Sequence, residues 1–271
     1  MSISFQTNVS SLTAQENLRV TNDFSNQTIQ RLTSGYRINA SGDDAAGLAV
    51  ANGYRSSIAE LTQGVRNAND GVSMLQIVDG GMNNITKMLD RLKTLATESA
   101  TDTFKGDRAT LDGEYQDLLG EIDRQAGNIG LASGGDWLKS LSVYIGGGTG
   151  ATVTIDLSKA QVDSAGLKLD STDVTDATKA GTAITAIDTA LASLGTMQGT
   201  VGTGQNKLQY GIQLAQSQIT SYSAAQSRIR DADVAAEAAN LTKAQVLQQA
   251  SLAAMAQANS APQAVLALLR G

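Results

Sequence analysis

Histidine and cysteine are both absent from this 271-residue chain, and proline occurs once, at Pro262. Without histidine the chain lacks the commonest general base and an open-site zinc ligand. Without cysteine it has no thiol nucleophile, no soft metal ligand and no disulfide. Most hydrolase and metalloenzyme mechanisms are excluded at once, and the redox compartment cannot be read. Only isolated carboxylates, lysines and tyrosines remain as titrating groups, so the chain reads as a non-enzyme without cofactor or metal. Charge is scarce too: 17% of residues are Asp, Glu, Lys or Arg, against roughly 25% in ordinary soluble proteins. The net charge of −6 and pI near 4.7 argue against a phosphate backbone as partner, because nucleic-acid binders cluster Lys and Arg on one face. No run of about 18 apolar residues occurs, so no membrane partner is expected. The segment Met1 to Val9 has neither the basic nor the apolar region of a cleaved leader, so export would proceed without one.

What is present points to long helices. Ordinary domains carry about 5% proline, mostly in turns; a single proline implies few turns and long elements. Ala, Ser, Thr, Asn and Gln coat the helical stretches, where a lone coiled coil in water would carry more Glu and Lys. Small uncharged side chains suit close packing on several sides, as in an assembly.

Between residues 44 and 100 the positions Ile58, Leu61, Val65, Ala68, Val72 and Leu75 step by three and four, the seam of a packed helix. Val78, Met82, Ile85, Leu89, Leu92 and Ala96 continue it after two consecutive steps of three, which predicts a stammer and local overwinding. Such a helix would reach about 85 Å at about 1.5 Å per residue. Ser41, with Asp43 and Asp44 at the positive end of the dipole, reads as its cap. A second helix is expected over 106–125. Two alternating β-branched runs, 141–145 and 152–157, joined by the glycine-rich stretch 146–151, read as a hairpin. Helical spacing returns over 177–194, and the glycines from Gly195 to Gly204 predict a joint before the last long helix, which carries Leu208, Ile212, Ala215, Ile219 and Tyr222. The fold class is therefore mainly α: a long antiparallel bundle or coiled coil built from both chain ends, with a small β-hairpin in the middle.

Two motifs suggest chemistry. Gly146, Gly148 and Ala151 satisfy the spacing of a dinucleotide-binding loop, but that loop must open a helix and Thr152 to Leu157 reads as a strand, so a hairpin turn is expected instead. Asp43 and Asp44 form a carboxylate pair, yet neighbours on a helix point about 100° apart, which favours capping over joint metal binding.

The segments Arg31 to Ala49, Arg66 to Gly71, Ser227 to Asp233, Gln245 to Ala250 and Gln257 to Leu266 resemble bacterial flagellin, the subunit of the flagellar filament, in its short form. The resemblance covers roughly residues 1 to 130 and 205 to 271. It implies a structural protein that self-assembles into the extracellular filament for swimming motility, secreted by type III export. It further implies an inner coiled-coil core from 1–42 and 236–271, a helical rod from 43–140 and 176–235, and a hairpin region over 141–175. The implied assembly residues are Leu32, Arg37, Asn39, Asp43, Asp44, Arg66, Asn67, Asn69, Asp70, Arg228, Asp231, Leu241, Leu247, Leu252, Leu266 and Leu269. Implied partners are further copies of the chain, alone or mixed with other flagellins, the hook-junction and filament cap proteins, and an export chaperone on the C-terminal segment. A hook–filament junction protein and a non-flagellar coiled-coil scaffold are the alternatives. Many flagellins carry Phe-Asn-Gly after the second rod helix, where this chain has Gly127-Asn-Ile-Gly130.

By the same resemblance, Arg91, Leu95 and Glu114 lie where animal flagellin receptors bind, with Asp90 and Thr94 in place of the usual Gln and Glu. Ser164, Ser171, Thr172, Thr175 and Thr178 are candidate O-glycan sites. From composition, Leu241 to Gly271 holds only Lys243 and Arg270 as charges and an apolar stripe that needs a partner, while Ile3 to Leu32 is a weak one. The terminal segments are therefore expected to order only on assembly.

Overall fold

A computed structural model describes residues 7–148 and 150–270, the segment 261–270 by its backbone only. The elements are α1 (Val9–Ser34), α2 (Ala45–Ala100), α3 (Arg108–Asn128), β1 (Ser140–Tyr144), β2 (Thr152–Asp156), α4 (Ala177–Arg230) and α5 (Val234–Arg270). They form two compact units, Met1–Ser56 with Ser221–Gly271, and Ser57–Thr220.

In the central unit, a buried row runs along α2 through Leu61, Gly64, Ala68, Gly71, Leu75, Val78, Met82, Ile85, Leu89, Leu92, Ala96 and Ser99, with the buried Gly81 and Leu95 beside it. The steps of that row alternate by three and four throughout, so the expected stammer is not seen. Its apparent phase shift came from reading the half-buried Val65 and Val72 as seam positions. The seam holds Gly64 and Gly71 instead, glycines that an apolar pattern passes over.

On α4 the buried row Ala180, Ala183, Ile187, Ala190, Leu194, Val201, Gly204, Leu208 and Ala215 runs straight through the glycine-rich stretch where a joint was expected. Gly195 and Gly199 are exposed and Gly202 half-buried, and each costs about 0.5–1 kcal/mol relative to alanine in a helix. Burying Leu194, Val201 and Leu208 returns about 1.5–3 kcal/mol apiece, so packing carries the helix across.

The hairpin pairs Leu141 with Ile155 and Val143 with Val153 in antiparallel register. Gly146, Gly147, Gly148 and Gly150, all at positive φ, make the turn, and the chain leaves it as a strand rather than the helix a dinucleotide loop requires. Its inner face rests on glycines spaced one heptad apart on both long helices. A β-carbon on Gly64 would fall on the Ile145 carbonyl, and one on Gly71 would lie 3.1 Å from Val143. One on Gly204 would meet Ile155 at 2.9 Å, and one on Gly211 would meet Ile145 at 2.5 Å.

Helix α3 begins at Arg108, two residues later than the spacing predicts, because the Asp107 carboxylate caps the amide of Ala109 at 3.0 Å. Its polar side then holds the irregular segment 157–176. Asp112 accepts from the Val174 amide at 2.9 Å, Gln116 donates to Thr172 O at 3.1 Å, and Asp123 accepts from the Ser164 amide at 2.6 Å. At the corner that departs from Phe-Asn-Gly, Gly130 is left-handed at φ +68° and lies against Trp137, where a β-carbon would collide with the indole.

In the terminal unit, α1 and α5 run antiparallel. Asn8 donates to Ala258 O at 2.8 Å, Gln248 to Asn22 at 2.9 Å, and Arg31 pairs with Glu237 at 3.2 Å. Helix α1 stops at Gly35, left-handed at φ +74°, whose amide returns to Arg31 O.

Candidate assembly surfaces

The α1–α5 contact buries the wrong stripe for a free-standing coiled coil. On α1 the seam is Ser11, Ala14, Leu18, Thr21, Ser25, Thr28 and Leu32; on α5 it is Glu237, Leu241, Ala244, Gln248, Ser251, Met255 and Ala258. The seam is mostly small or polar. The large aliphatic residues Val9, Leu12 and Val20 of α1, and Val246, Leu247 and Leu252 of α5, are 42–64% exposed. Exposed apolar side chains that gather into a contiguous patch mark interaction surfaces; Val9, Leu12 and Val20 share one face of α1, while Val246, Leu247 and Leu252 lie on different sides of α5 outside the seam.

Of the predicted assembly residues, Leu247 and Leu252 lie on this exposed surface, while Leu32 and Leu241 are half-buried in the seam. Leu266 and Leu269 fall outside the described side chains.

The connectors that join α1 to α2 and α4 to α5 are fastened to each other. Tyr36 and Asp231 form an antiparallel bridge, the Arg37 amide donates to Arg230 O at 2.7 Å, and the Ala232 amide donates to Gly35 O at 2.9 Å. The Arg37 guanidinium reaches Ile229 O at 2.9 Å, Asn39 donates to Tyr36 O at 3.0 Å, and the Arg230 guanidinium lies 4.1 Å over the Tyr36 ring. Arg228 is exposed on the last turn of α4.

Asp43 and Asp44 do different work. Asp44, next to the first helical residue Ala45, accepts from the Gly47 amide at 2.8 Å and is the true N-cap. Ser41 sits too far upstream to cap α2, which corrects the sequence reading. Asp43 faces backward, accepting from the amides of Asn39 at 3.0 Å and Ala40 at 3.1 Å. Those two bonds, led by Ala40, hold its carboxyl below the ordinary aspartate value of 3.8, with further help from the Gln27 amide and the Arg31 charge.

In the central unit, Asn67 donates to the outer carbonyl of Tyr144 at 3.1 Å and accepts from Gln63 at 2.9 Å, so it ties the hairpin to α2. Arg66 is held by Gln63 at 3.0 Å and Asn69 by Val65 O at 2.8 Å; Arg66, Asn69 and Asp70 all face solvent. Arg91 and Glu114 come together across α2 and α3 at 2.9 Å, half exposed, and Leu95 is buried beneath in the seam. Among the candidate glycan sites, Ser164 is bonded through its hydroxyl to Asp123, Thr172 to Leu169 O and Tyr115, and Thr175 to Asp173. Ser171 and Thr178 are exposed.

Sequence reasoning missed two sets of positioning residues: the heptad-spaced glycine pairs under the hairpin, and Arg31 with Glu237. The spacing of seven between Gly64 and Gly71, and again between Gly204 and Gly211, was the available signal.

The profile of the bacterial flagellin N-terminal helical region matches residues 5–129, and that of the bacterial flagellin C-terminal helical region matches residues 184–269. A flagellin of Halalkalibacterium halodurans is 35% identical over 269 residues, covering 97% of this chain and 98% of that one. A flagellar filament 33 kDa core protein of Treponema phagedenis is 33% identical over 289 residues, with the same two coverages. The crystal structure of Bacillus cereus flagellin, 29% identical, superposes with a TM-score of 0.49 over 59% of this chain and 94% of that one. Among the described residues, no helix is long and apolar enough to cross a membrane.

Proposed function

Because the chain belongs to the bacterial flagellin family, whose members build the extracellular flagellar filament, we propose that its paired terminal helices are the surface through which copies of it polymerise. The exposed aliphatic side chains Val9, Leu12, Val20, Val246, Leu247 and Leu252 around a mostly small or polar intramolecular seam carry this reading. The internal seam alone buries little apolar area against an ordering cost of about 1–2 kcal/mol per backbone residue. Neighbouring copies covering these side chains would add about 25 cal/mol for each Å² buried, so ordering of the termini is coupled to assembly.

In this account residues 1–42 and 236–271 form the inner core of the filament, 43–140 and 176–235 the rod, and 141–175 the hairpin region. No residue performs catalysis. The chain leaves the cell through the type III channel without a cleaved signal, its C-terminal segment held by an export chaperone, and it grows beneath a cap from a junction on the hook, alone or mixed with other flagellins. Arg91 and Glu114, shaped from below by Leu95, form the patch an animal receptor meets. Ser171 and Thr178, both exposed, are the favoured O-glycan acceptors, since the equally exposed Thr175 has its hydroxyl bonded to Asp173.

Hydrogen exchange tests the coupling. Residues 241–260 should exchange rapidly in the monomer and become strongly protected in filaments; strong protection in the monomer would overturn it.

A further inference from the structure

We propose that Tyr54 and Tyr222 form an oxidative cross-linking site, at which a peroxide-driven one-electron oxidant joins the two rings as dityrosine and staples the start of α2 to the end of α4.

Members of the family work outside the cell, and this chain has no cysteine, so no disulfide can tie its segments together there. Coupling of phenols is the oxidative cross-link still open to it. The rings of Tyr54 and Tyr222 stack with centroids 5.5 Å apart and planes 22° from parallel, the one aromatic pair among the described residues. Both residues are half-buried, accessible enough to give up an electron and enclosed enough to keep the rings together. Among the described residues neither hydroxyl is hydrogen-bonded to protein, so each can release its proton to water.

The chain has six tyrosines, and the other four have no second ring stacked on them among the described residues. Tyr36 lies under the Arg230 guanidinium at 4.1 Å, and a cation over the ring opposes loss of an electron from it. Tyr115 is fully buried with its hydroxyl bonded to Thr172, and Tyr144 donates to Glu60. Tyr210 is the most accessible, at 71% exposed, and stands alone. Exposure and proximity therefore select different tyrosines.

In the coupling each phenol loses one electron and one proton. The two radicals combine at the ring carbons beside their hydroxyls, forming one carbon–carbon bond, and the hydrogen on each of those carbons moves to the oxygen to restore the aromatic ring. The two electrons and two protons released reduce one molecule of peroxide to two of water. The chain emerges lighter by two hydrogens.

Both tyrosines belong to the terminal unit, and the whole of the central unit, Ser57–Thr220, lies between them in sequence. The link would close that entire stretch into one covalent loop. As with a disulfide, a cross-link acts chiefly by constraining the unfolded chain, and more so for a longer loop.

Treating dilute full-length monomer with hydrogen peroxide and a haem peroxidase tests the site without requiring a filament, so the result is independent of the assembly reading. The main product should be a monomer lighter by two hydrogens, with dityrosine fluorescence. Its tryptic map should join the peptide of Tyr54 to that of Tyr222, with fragment spectra placing the link on Tyr222 rather than Tyr210. Tyr54→Phe and Tyr222→Phe, which keep both rings, should each abolish the lighter monomer, and Tyr210→Phe should leave its yield unchanged. Treatment should raise the urea midpoint of the unaltered chain and leave that of either Tyr54→Phe or Tyr222→Phe where it was. Dimers linked through Tyr210 as the main product would show that exposure selects the site and overturn the inference. So would a lighter monomer that survives Tyr54→Phe, or the absence of dityrosine altogether. If a variant fails to fold, the joined peptides of the unaltered chain decide alone.

Discussion

The carbonyl of Ile145 occupies the space that a β-carbon on Gly64 would need. The hairpin therefore lies directly on the backbone of α2, and Gly64 has no room for any side chain. Gly64→Ala should lower the stability of the central unit by about 1–3 kcal/mol, the usual cost of overpacking. Gly80, on the same helix with nothing within 4 Å of its β-position, should respond the other way: Gly80→Ala should add about 0.5–1 kcal/mol. Urea unfolding of the two variants beside the unaltered chain gives both signs in one experiment, and equal midpoints would show that the hairpin does not press on α2.

Asp44 and Asp43, adjacent in sequence, should fail in different ways. Asp44→Ala removes the α2 cap and should cost about 0.5–2 kcal/mol. Asp43 has its carboxyl depressed by the amides of Ala40 and Asn39. A group with a lowered folded value stabilises fully above its unfolded value, 3.8 here, and loses that contribution as pH falls through the folded value. Acid unfolding followed by circular dichroism should therefore show Asp43→Asn narrowing the stability gap between pH 6 and pH 3. An unchanged gap would remove Asp43 from the acid response.

Much of the architecture was legible in the sequence because it is periodic. The three-and-four spacing gave the long helices, and β-branched alternation around 146–151 gave the hairpin with its ends nearly in place. Errors arose where glycine did the packing. Gly64 and Gly71 left gaps in the apolar pattern that Val65 and Val72 filled falsely, producing a stammer that is absent. Gly195 to Gly204 looked like a break because local propensity was weighed without the burial of Leu194, Val201 and Leu208. Arg31 and Glu237 lie 206 residues apart, and nothing local marks them as partners.

The hydroxyls of Ser164, Thr172 and Thr175 are engaged by Asp123, Leu169 O and Asp173, which leaves Ser171 and Thr178 as the more accessible acceptors. Intact-mass measurement and peptide mapping of filaments sheared from cells should find glycan on Ser171 or Thr178. A mass equal to the bare chain would end the proposal.

Asp90 and Thr94 flank Arg91 on the exposed side of α2, where Thr94 bonds to the Asp90 carbonyl. The monomer should activate an animal flagellin receptor more weakly than a flagellin with Gln and Glu there, and replacing both residues accordingly should raise potency. Titration on reporter cells decides it, equal potency being the contrary result.

The central claim is that copies of this chain polymerise through the exposed aliphatic side chains of α1 and α5. Negative-stain electron microscopy of seeded protein tests it most directly, with the chain truncated after residue 240 beside the full one. The account predicts tubes of uniform diameter from the full chain, and a soluble helical protein that adds nothing to seeds from the truncated one. Small oligomers of fixed size from the full chain, or tubes from the truncated chain, would contradict it.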